Sequence, residues 1–385
     1  MKLFKLNSFN KVILSTVILF FIIELMGQTV YFFVKKKSFY SYHLDKNKTF
    51  TFTDFRSGQK FKPNINAHMP GYPDNLSTNQ YGFISNNNTQ HDLKNLTKKN
   101  IFFVGGSTVE GRGASSNKNT IPANLERCLQ KIDEDFQVIN AGFSGDTAFQ
   151  EFLRLSTSIV PDYKTYAVIS LSGRNDAHNS YILNDTWREN DNLYFKRMNY
   201  KINNLKEDCI LCAINQKLLR ISLLYYSFNY FIERYVQNYQ NYSKLDGETK
   251  IKNNFLMSDK NISLAAKNFI ENLVLTNFFL ANKGIEYFSF IQPALDENLK
   301  HLTEFEKSKK KIFEMKVNNL YWAQIFDFYK EALKHSKNKN FIYDISDIFK
   351  EYNETLYYDS VHYNDRGNEI IAKKICSIFK RKYNF

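Results

Sequence analysis

The stretch that decides the fold is Ile101-Phe-Phe-Val-Gly-Gly-Ser-Thr-Val-Glu-Gly111. Its first four residues are apolar, which predicts a buried strand, and two glycines and a serine follow directly. In a parallel sheet such a strand presents its last residues at the carboxyl edge, where ligands bind. Ser107 is therefore predicted to lie at that edge. Taken alone, the stretch fits a phosphate-cradling loop equally well, so residues elsewhere must identify the site.

The chain after Ser107 alternates regularly between helical and strand patterns. Helical patterns cover residues 120–132 and about 147–158, and strand patterns cover residues 137–140 and 166–171. Further elements are predicted over residues 262–283 (helix), 285–291 (strand), 304–335 (mostly helix), 341–348 (strand) and from the 357–367 loop to about 383 (helix). Strands separated by helices of this length predict a parallel sheet with helices on both faces.

The N-terminal segment 12–34 is the most apolar part of the chain and has lysines on both sides. As a helix it would span roughly 34 Å, enough to cross a hydrocarbon core of about 30 Å. This predicts one membrane anchor within residues 1–37. Glu24 lies mid-span, where an isolated charge is costly, so it should be neutral, paired or facing another protein. A cleaved secretory signal is the alternative, although no small-x-small cleavage site follows.

Two segments flank or interrupt the α/β pattern. Residues 38–99 are polar and contain three prolines and an asparagine run, which predicts an irregular stalk or linker that leads into the domain and can wrap around it. Residues 100–385 form the domain itself, and the alternation breaks over about 181–260. We interpret that section as an insertion or cap over one edge of the site. Its Tyr-rich helical pattern at 218–242 favours a packing stripe over a sugar- or lipid-contacting surface.

The net charge of +13 would ordinarily suggest an anionic partner. Lysine greatly outnumbers arginine, however, and asparagine, isoleucine, phenylalanine and tyrosine are abundant, as expected of an AT-rich coding sequence. The sequence has no arginine-rich block and no zinc-finger or aromatic RNA-binding signature. Nucleic acid is therefore not a predicted partner. The oligomeric state is left open.

Four cysteines are too few to form the framework of a chain of 385 residues. Cys209 and Cys212 make a lone Cys-x-x-Cys that fits either a local disulfide or two thiols, whereas Cys128 and Cys376 stand alone. A structural zinc site would usually need a second close pair of cysteines or histidines. The sequence therefore predicts no metal site, and it leaves the redox compartment open.

Residues at strand ends and in the last loop supply the groups that serine-based acyl transfer needs, namely a base, an acid and oxyanion donors. His362 can take the proton of Ser107, and Asp359 can hold the imidazole in the right tautomer. The amides of Ser107 and Gly145 and the side chain of Asn175 can face the developing negative charge. His178 either lines the substrate pocket or is solvated.

The resulting pattern resembles the SGNH hydrolases, the GDSL esterase/lipase superfamily, in four blocks: Gly105-Gly-Ser107, Asn140-Ala-Gly-Phe-Ser-Gly-Asp-Thr147, Gly173-Arg-Asn-Asp176 and Asp359-Ser-Val-His362. The resemblance covers about residues 100–383 without 181–260. It implies a flavodoxin-like three-layer α/β/α fold with a parallel sheet, here preceded by one transmembrane helix. It also implies a triad that uses no metal or cofactor, and an oxyanion hole of Ser107, Gly145 and Asn175. Gly106 departs from the family, which usually has Asp before the nucleophile.

The resemblance implies an esterase that cleaves a carboxylic ester, either an O-acyl saccharide or a small lipid ester, through an acyl-enzyme. An O-acyltransferase on the same machinery and a non-catalytic SGNH-fold binding or assembly protein are the alternatives. A nucleotide-binding domain is disfavoured because no Gly-Lys-Ser/Thr follows the glycines. Membrane-anchored members with this layout resemble exported bacterial proteins, so the domain is expected in the periplasm or at the cell surface. The flanking lysines do not decide the orientation.

Overall fold

The computed structural model describes residues 8–35, 38, 51–54, 58–61, 63–64, 66–68, 75–86, 92–93, 97–183, 218, 222–225, 227–228, 257–314 and 320–384. The chain divides into two compact units, one of Met1–Thr49 with Arg197–Asn253 and one of Phe50–Lys196 with Asn254–Phe385. Most of the predicted insertion at 181–260, including Cys209, Cys212 and much of the Tyr-rich pattern, lies outside the described residues. The expected cap over the site therefore stays a prediction.

A five-stranded parallel sheet forms the centre of the second unit. Its strands are β1 (Lys99–Gly105), β2 (Phe136–Asn140), β3 (Ala167–Ser172), β4 (Glu286–Ile291) and β5 (Ile342–Asp344). They lie in the order β2-β1-β3-β4-β5, and Phe103 is in register with Asn140 on one side and Ile169 on the other. This is the strand order of flavodoxin-like sheets, in which the order of the parallel strands reverses at a switch point between β1 and β3. The predicted fold class is confirmed.

The helices that the structure describes are α1 (Ser8–Lys35), α2 (Ser107–Glu110), α3 (Ile121–Leu129), α4 (Ala148–Arg154), α5 (Arg174–Leu183), α6 (Asp259–Ala281), α7 (Glu304–Glu314), α8 (Tyr321–Ser336) and α9 (Asp365–Tyr383). A π-helical turn, Leu155–Ile159, and the short helix Val160–Asp162 continue α4. The predicted helix at 304–335 corresponds to α7 and α8, with residues 315–319 outside the described chain.

The sheet is buried on both faces because its apolar side chains alternate between two cores. Ile101 and Phe103 pack in one core together with Leu125 of α3 and residues of α9. Phe102 and Val104 point to the opposite core. Each of these four strand residues is fully buried. The run of apolar residues in β1 thus reflects a central strand covered by helices on both sides.

The last strand is shorter than the sequence predicts. The expectation was a strand over 341–348, but β5 ends at Asp344. The carboxylate of Asp344 accepts a hydrogen bond from the backbone N–H of Ser346 at 2.9 Å. Such an Asx turn redirects the chain, so the apolar residues that follow belong to turns and not to the strand.

The region expected to be irregular contains two short antiparallel strand pairs, Thr51–Asp54 with Gly58–Phe61 and Asn66–His68 with Asn75–Ser77. Residues after the second pair lie along β2: the N–H of Ile84 donates to the carbonyl of Asn140 at 3.1 Å. Phe83 is buried, and its ring packs against Phe102 at 5.5 Å. This part of the chain therefore covers the open edge of the sheet.

Two further features lie outside the sheet. Residues Leu14–Val34 of α1 have a mean hydropathy of 2.1 and none of them is fully buried, and among the described helices α1 is the one long and apolar enough to cross a membrane. This confirms the predicted N-terminal apolar helix. Cys128 of α3 and Cys376 of α9, which the sequence analysis left standing alone, form a disulfide across 248 residues of chain.

Candidate active site

Ser107 is the first residue of α2, directly after β1. The turn depends on Gly105, whose φ of +154° and lack of a side chain let Val109 pack close to the backbone. A β-carbon on Gly105 would lie 2.4 Å from a methyl carbon of Val109. The strand can therefore pass straight into the helix, which leaves Ser107 half-buried at the carboxyl edge of the sheet.

His362 reaches Ser107 from the loop before α9. Its Nε2 atom lies 2.7 Å from the Oγ atom of Ser107, although the two residues are 255 positions apart. His362 is buried, with 6 % of its surface exposed. The backbone of Gly113 lies against the same loop, and a β-carbon on Gly113 would be 2.5 Å from the carbonyl oxygen of Tyr363.

Asp359 holds the other side of the imidazole. Its Oδ2 atom lies 2.8 Å from the Nδ1 atom of His362, and its Oδ1 atom accepts the N–H groups of Val361 and His362, each at 2.8 Å. Burial opposes the charged carboxylate, but these hydrogen bonds and the nearby His362 outweigh it and lower the pKa of Asp359 to about 2. An ionised Asp359 favours a proton on Nδ1, which leaves Nε2 free to accept the proton of Ser107.

A small aromatic cluster fixes the loop that carries Asp359 and His362. Tyr357 and Tyr363 form an antiparallel bridge, and their rings lie 5.2 Å apart. The hydroxyl of Tyr363 donates to the carbonyl of Pro293, after β4, at 2.6 Å. The loop is thus attached to the carboxyl edge of the sheet, which holds His362 over Ser107.

Asn175 and Gly145 follow β3 and β2 at the same edge. The side-chain amide of Asn175 donates to the carbonyl of Asp146 at 2.8 Å, which links the two loops. Gly145 is exposed and has a φ of +86°, a conformation that favours glycine. The Nδ2 atom of Asn175 lies 2.3 Å from where a β-carbon on Gly106 would be. The departure from Asp at this position therefore makes room for Asn175.

Buried carboxyl groups beneath the site were missed by the sequence analysis. Glu110 lies three residues after Ser107 and accepts the N–H of Ser144, next to Gly145, at 2.5 Å. Burial raises the pKa of Glu110 to about 7. Asp146 pairs with Arg154 at 2.7 Å, and burial raises its pKa to about 6 despite that pair.

Two more buried carboxyl groups, those of Asp176 and Glu151, accept hydrogen bonds from the start of α4 and the end of β3. Asp176, the last residue of the third block, accepts the N–H of Ala148 at 3.2 Å, and burial raises its pKa to about 7. Glu151 accepts the hydroxyl of Ser172 at 2.7 Å, and burial raises its pKa as well. A glutamate one turn after the nucleophile was the signal that could have drawn attention to this cluster.

His178 lies on α5 and not in a solvated loop. Its Nδ1 atom is 2.7 Å from the hydroxyl oxygen of Tyr321. Burial, with Arg174 nearby, lowers the pKa of His178 to about 4, so the ring is neutral near pH 7. The contact is with a core tyrosine of α8, which makes His178 a packing residue of this helix pair.

Within the described parts of the chain, no group of three or more His, Cys, Asp or Glu side chains is arranged to hold a metal ion. The structure brings the predicted site residues together at the carboxyl edge of the sheet: Ser107, Gly145, Asn175, Asp359 and His362. Of these, Ser107, His362 and Asp359 are hydrogen-bonded in series. The arrangement can move a proton from the serine hydroxyl to the imidazole.

Solved structures that match this chain include several esterases and a putative lipolytic protein. The acetyl xylan esterase AlAXEase is 14% identical over 72% of this chain and 98% of its own, with a TM-score of 0.39. A putative lipolytic protein of the G-D-S-L family from Desulfitobacterium hafniense DCB-2 is 12% identical, covering 73% of this chain and 99% of its own, with a TM-score of 0.37.

A third similar structure is a carbohydrate acetylesterase family member from Sinorhizobium meliloti, 10% identical over 74% of this chain and 100% of its own, with a TM-score of 0.40. No protein-family model matches the sequence, and no curated protein matches it significantly.

Proposed function

We propose that this protein is a membrane-anchored serine esterase of SGNH type, which cleaves a carboxylic ester through an acyl-enzyme. The observation that carries the proposal is the series Ser107–His362–Asp359, with distances of 2.7 and 2.8 Å, at the carboxyl edge of a parallel sheet. A serine whose proton can pass to an imidazole held in the right orientation is an activated nucleophile.

In the proposed mechanism, His362 takes the proton of Ser107 as its Oγ atom attacks the ester carbonyl carbon. The tetrahedral intermediate collapses, the carbon–oxygen bond to the alcohol breaks, and His362 returns the proton to the leaving alkoxide. Water then attacks the carbonyl carbon of the acyl-enzyme and gives a proton to His362. The second tetrahedral intermediate collapses, the bond between the acyl carbon and the Oγ atom of Ser107 breaks, and His362 returns the proton to Oγ as the acid leaves. Asp359 stabilises the imidazolium in both halves.

The oxyanion hole in this proposal consists of the N–H groups of Ser107 and Gly145 and the side-chain amide of Asn175. Each donor comes from a different strand end, so the rigid sheet sets their spacing before substrate binds. The bond between Asn175 and the carbonyl of Asp146, at 2.8 Å, restrains one donor. Glu110 accepts the N–H of Ser144 and so restrains the residue next to Gly145.

For the substrate we propose an O-acyl group on a saccharide or a small lipid ester. The same acyl-enzyme would transfer its acyl group if a sugar or lipid hydroxyl attacked in place of water. An O-acyltransferase is therefore the alternative within the same chemistry, and product analysis distinguishes the two.

We further propose that α1 is a retained anchor and that the hydrolase domain lies outside the cytoplasm. Its exposed apolar span, Leu14–Val34, supports the anchor. The disulfide between Cys128 and Cys376 supports an oxidising compartment, since structural disulfides are rare in the cytosol. A reporter fused after Phe385 tests the side of the membrane, and an active cytoplasmic reporter would contradict this localisation.

The decisive test is labelling of the full chain in membranes with a fluorophosphonate probe. The wild type should be labelled, and Ser107→Ala should not be. A well-folded wild type that resists the probe would contradict the proposal and favour a non-catalytic binding protein. A panel of acyl esters that includes acetylated sugars, with mass analysis of the products with and without an acceptor, then separates hydrolysis from transfer.

A further inference from the structure

The apolar helix α1 has one face that differs from the rest. Within the span Leu14–Val34, four residues are partly buried: Glu24, Gly27, Gln28 and Tyr31. They recur at spacings of three, one and three, which places them in one stripe along the helix. The other residues of the span are exposed. One face of the helix is therefore covered by another part of the chain.

The covering element is a segment of the insertion in the same structural unit, residues 222–225. The carboxylate of Glu24 accepts the hydroxyl of Ser222 at 3.0 Å and the N–H groups of Leu223 and Leu224 at 2.7 and 2.9 Å. The side-chain amide of Gln28 donates to it at 2.7 Å. All four bonds converge on a single carboxylate.

Gly27 lets the segment approach closely. A β-carbon at this position would lie 3.1 Å from a methyl carbon of Leu223, which is tighter than ordinary van der Waals contact. The backbone of α1 is thus in direct contact with an apolar side chain one turn from Glu24. Small residues at such positions allow close packing of helices inside membranes.

Both partners in this contact, the Glu24 carboxylate and the 222–225 backbone, are polar groups that need a hydrogen bond in an apolar medium. Glu24 lies ten residues from each end of the span, about 15 Å along the helix, so it is at mid-depth if α1 crosses a bilayer. A carboxylate there is costly unless it is hydrogen-bonded, and free backbone N–H groups are costly for the same reason. Glu24 and the 222–225 backbone satisfy each other, whereas in water both would be solvated without this contact.

The sequence of the segment agrees with burial in lipid. The twelve residues between Arg220 and Glu233 include no charged side chain. The run is largely apolar and aromatic, with two serines and one asparagine. Its length is too short to cross a bilayer and is that of a re-entrant, interfacial or buried core segment. Phe228, in the same run, leaves 63% of its surface exposed, as expected of a side chain that faces acyl chains.

We infer that residues 222–225 and 227–228 lie within the bilayer against the Glu24 stripe of α1, so that this part of the insertion is a second membrane-embedded element. Lipid acyl chains are the partner of its exposed face. The inference rests on the proposed retention of α1. It also gives Glu24 a role within the chain, because two of its partners are backbone N–H groups about 200 residues away.

Oxidative cross-linking in native membranes tests the contact. In a Cys209→Ser/Cys212→Ser background, Gly27→Cys with Leu223→Cys should form a disulfide with copper phenanthroline. Denaturation and a polyethylene-glycol maleimide then count free thiols. Leu25→Cys with Leu223→Cys is the matched control, because Leu25 is 70% exposed on another face, and it should keep both thiols free. Equal cross-linking of the two pairs would overturn the inference.

Depth is measured with single cysteines and a membrane-impermeant maleimide. Phe228→Cys should react at least about tenfold more slowly than Lys283→Cys, an exposed site on the hydrolase unit, until detergent is added. Equal rates would contradict burial in lipid. Glu24→Leu should reduce the Gly27–Leu223 cross-link about tenfold, since several buried hydrogen bonds are lost, while Glu24→Gln keeps an acceptor and most of the cross-link.

Failure of this inference can be distinguished from failure of the proposed anchor. The mass of the mature protein and its retention in carbonate-washed membranes report whether α1 is kept. If α1 is kept but Phe228→Cys reacts freely, the anchor stands and the embedded segment does not. If α1 is removed, the anchor itself is wrong, and with it this inference.

Discussion

The side chain of Asn175 occupies the space that a side chain on Gly106 would fill. The Nδ2 atom of Asn175 lies 2.3 Å from the position of a β-carbon on Gly106 and donates to the carbonyl of Asp146 at 2.8 Å. Contacts below about 3 Å are not found for real β-carbons, so any larger residue before Ser107 must displace this amide.

Gly106→Ala should therefore behave as Asn175→Ala does, because both remove the same proposed oxyanion donor. We expect kcat for ester cleavage to fall by about a hundredfold in each variant. The double variant should be little slower than either single one, since the two changes act on one group. Steady-state kinetics on an activated ester measure this. Fully additive losses would show that Gly106 and Asn175 act independently.

Asp359→Asn should leave the protein folded but lower kcat by about 10⁴-fold. The amide cannot hold the Nδ1 proton of His362 as the carboxylate does, so the imidazole adopts the wrong tautomer for accepting the proton of Ser107. Pre-steady-state release of the alcohol should slow in parallel. Unchanged turnover with Asp359→Asn would remove this residue from the proposed triad.

Glu110 should make the stability of the fold depend on pH. Burial raises its pKa to about 7, so the folded chain binds this proton more tightly than the unfolded chain. The resulting stabilisation is fully present below about pH 4.5 and is lost as the pH rises through about 7. Glu110→Gln mimics the protonated acid, so at pH 8 it should raise the free energy of unfolding by about 3 kcal/mol over wild type.

Urea unfolding of the detergent-solubilised protein between pH 4 and 8 measures this difference, which should shrink toward acid pH. Parallel curves for wild type and Glu110→Gln would contradict it. Glu110→Ala, which cannot accept the N–H of Ser144, should in addition lower kcat by about tenfold or more, because the loop of Gly145 loses its restraint.

The disulfide between Cys128 and Cys376 should stabilise the domain. Replacing both cysteines by serine should lower the free energy of unfolding by about 2 to 5 kcal/mol, since the bond closes a long loop of the unfolded chain. Thermal unfolding with and without dithiothreitol checks this, with the double variant as the control that reductant should not affect. In unreduced, denatured wild type these two cysteines should resist alkylation. Their free reaction would contradict both the bond and the proposed compartment.

Much of the fold follows from local sequence. The apolar residues before Gly105 and the alternation of helical and strand periods identified the parallel sheet. Local patterns were wrong where a side chain at the end of an element redirects the chain. The strand predicted over 341–348 ends at Asp344, because its carboxylate accepts the N–H of Ser346 and forms a turn. Residues 38–99 were expected to be irregular because their composition is polar, yet described parts of them pair as strands.

By itself, the sequence determined the apolar N-terminal helix, the order of strands and helices, and the residues that end up at the carboxyl edge of the sheet. These depend on residue spacing and on turn-forming glycines, which act within a few positions. Tertiary structure decided which of those residues touch: Ser107 with His362 across 255 positions, Cys128 with Cys376, and Glu24 with Leu223. It also decided that a side chain at position 106 would displace the amide of Asn175. Contacts between remote residues depend on how buried elements pack, and periodicity carries no information about that packing.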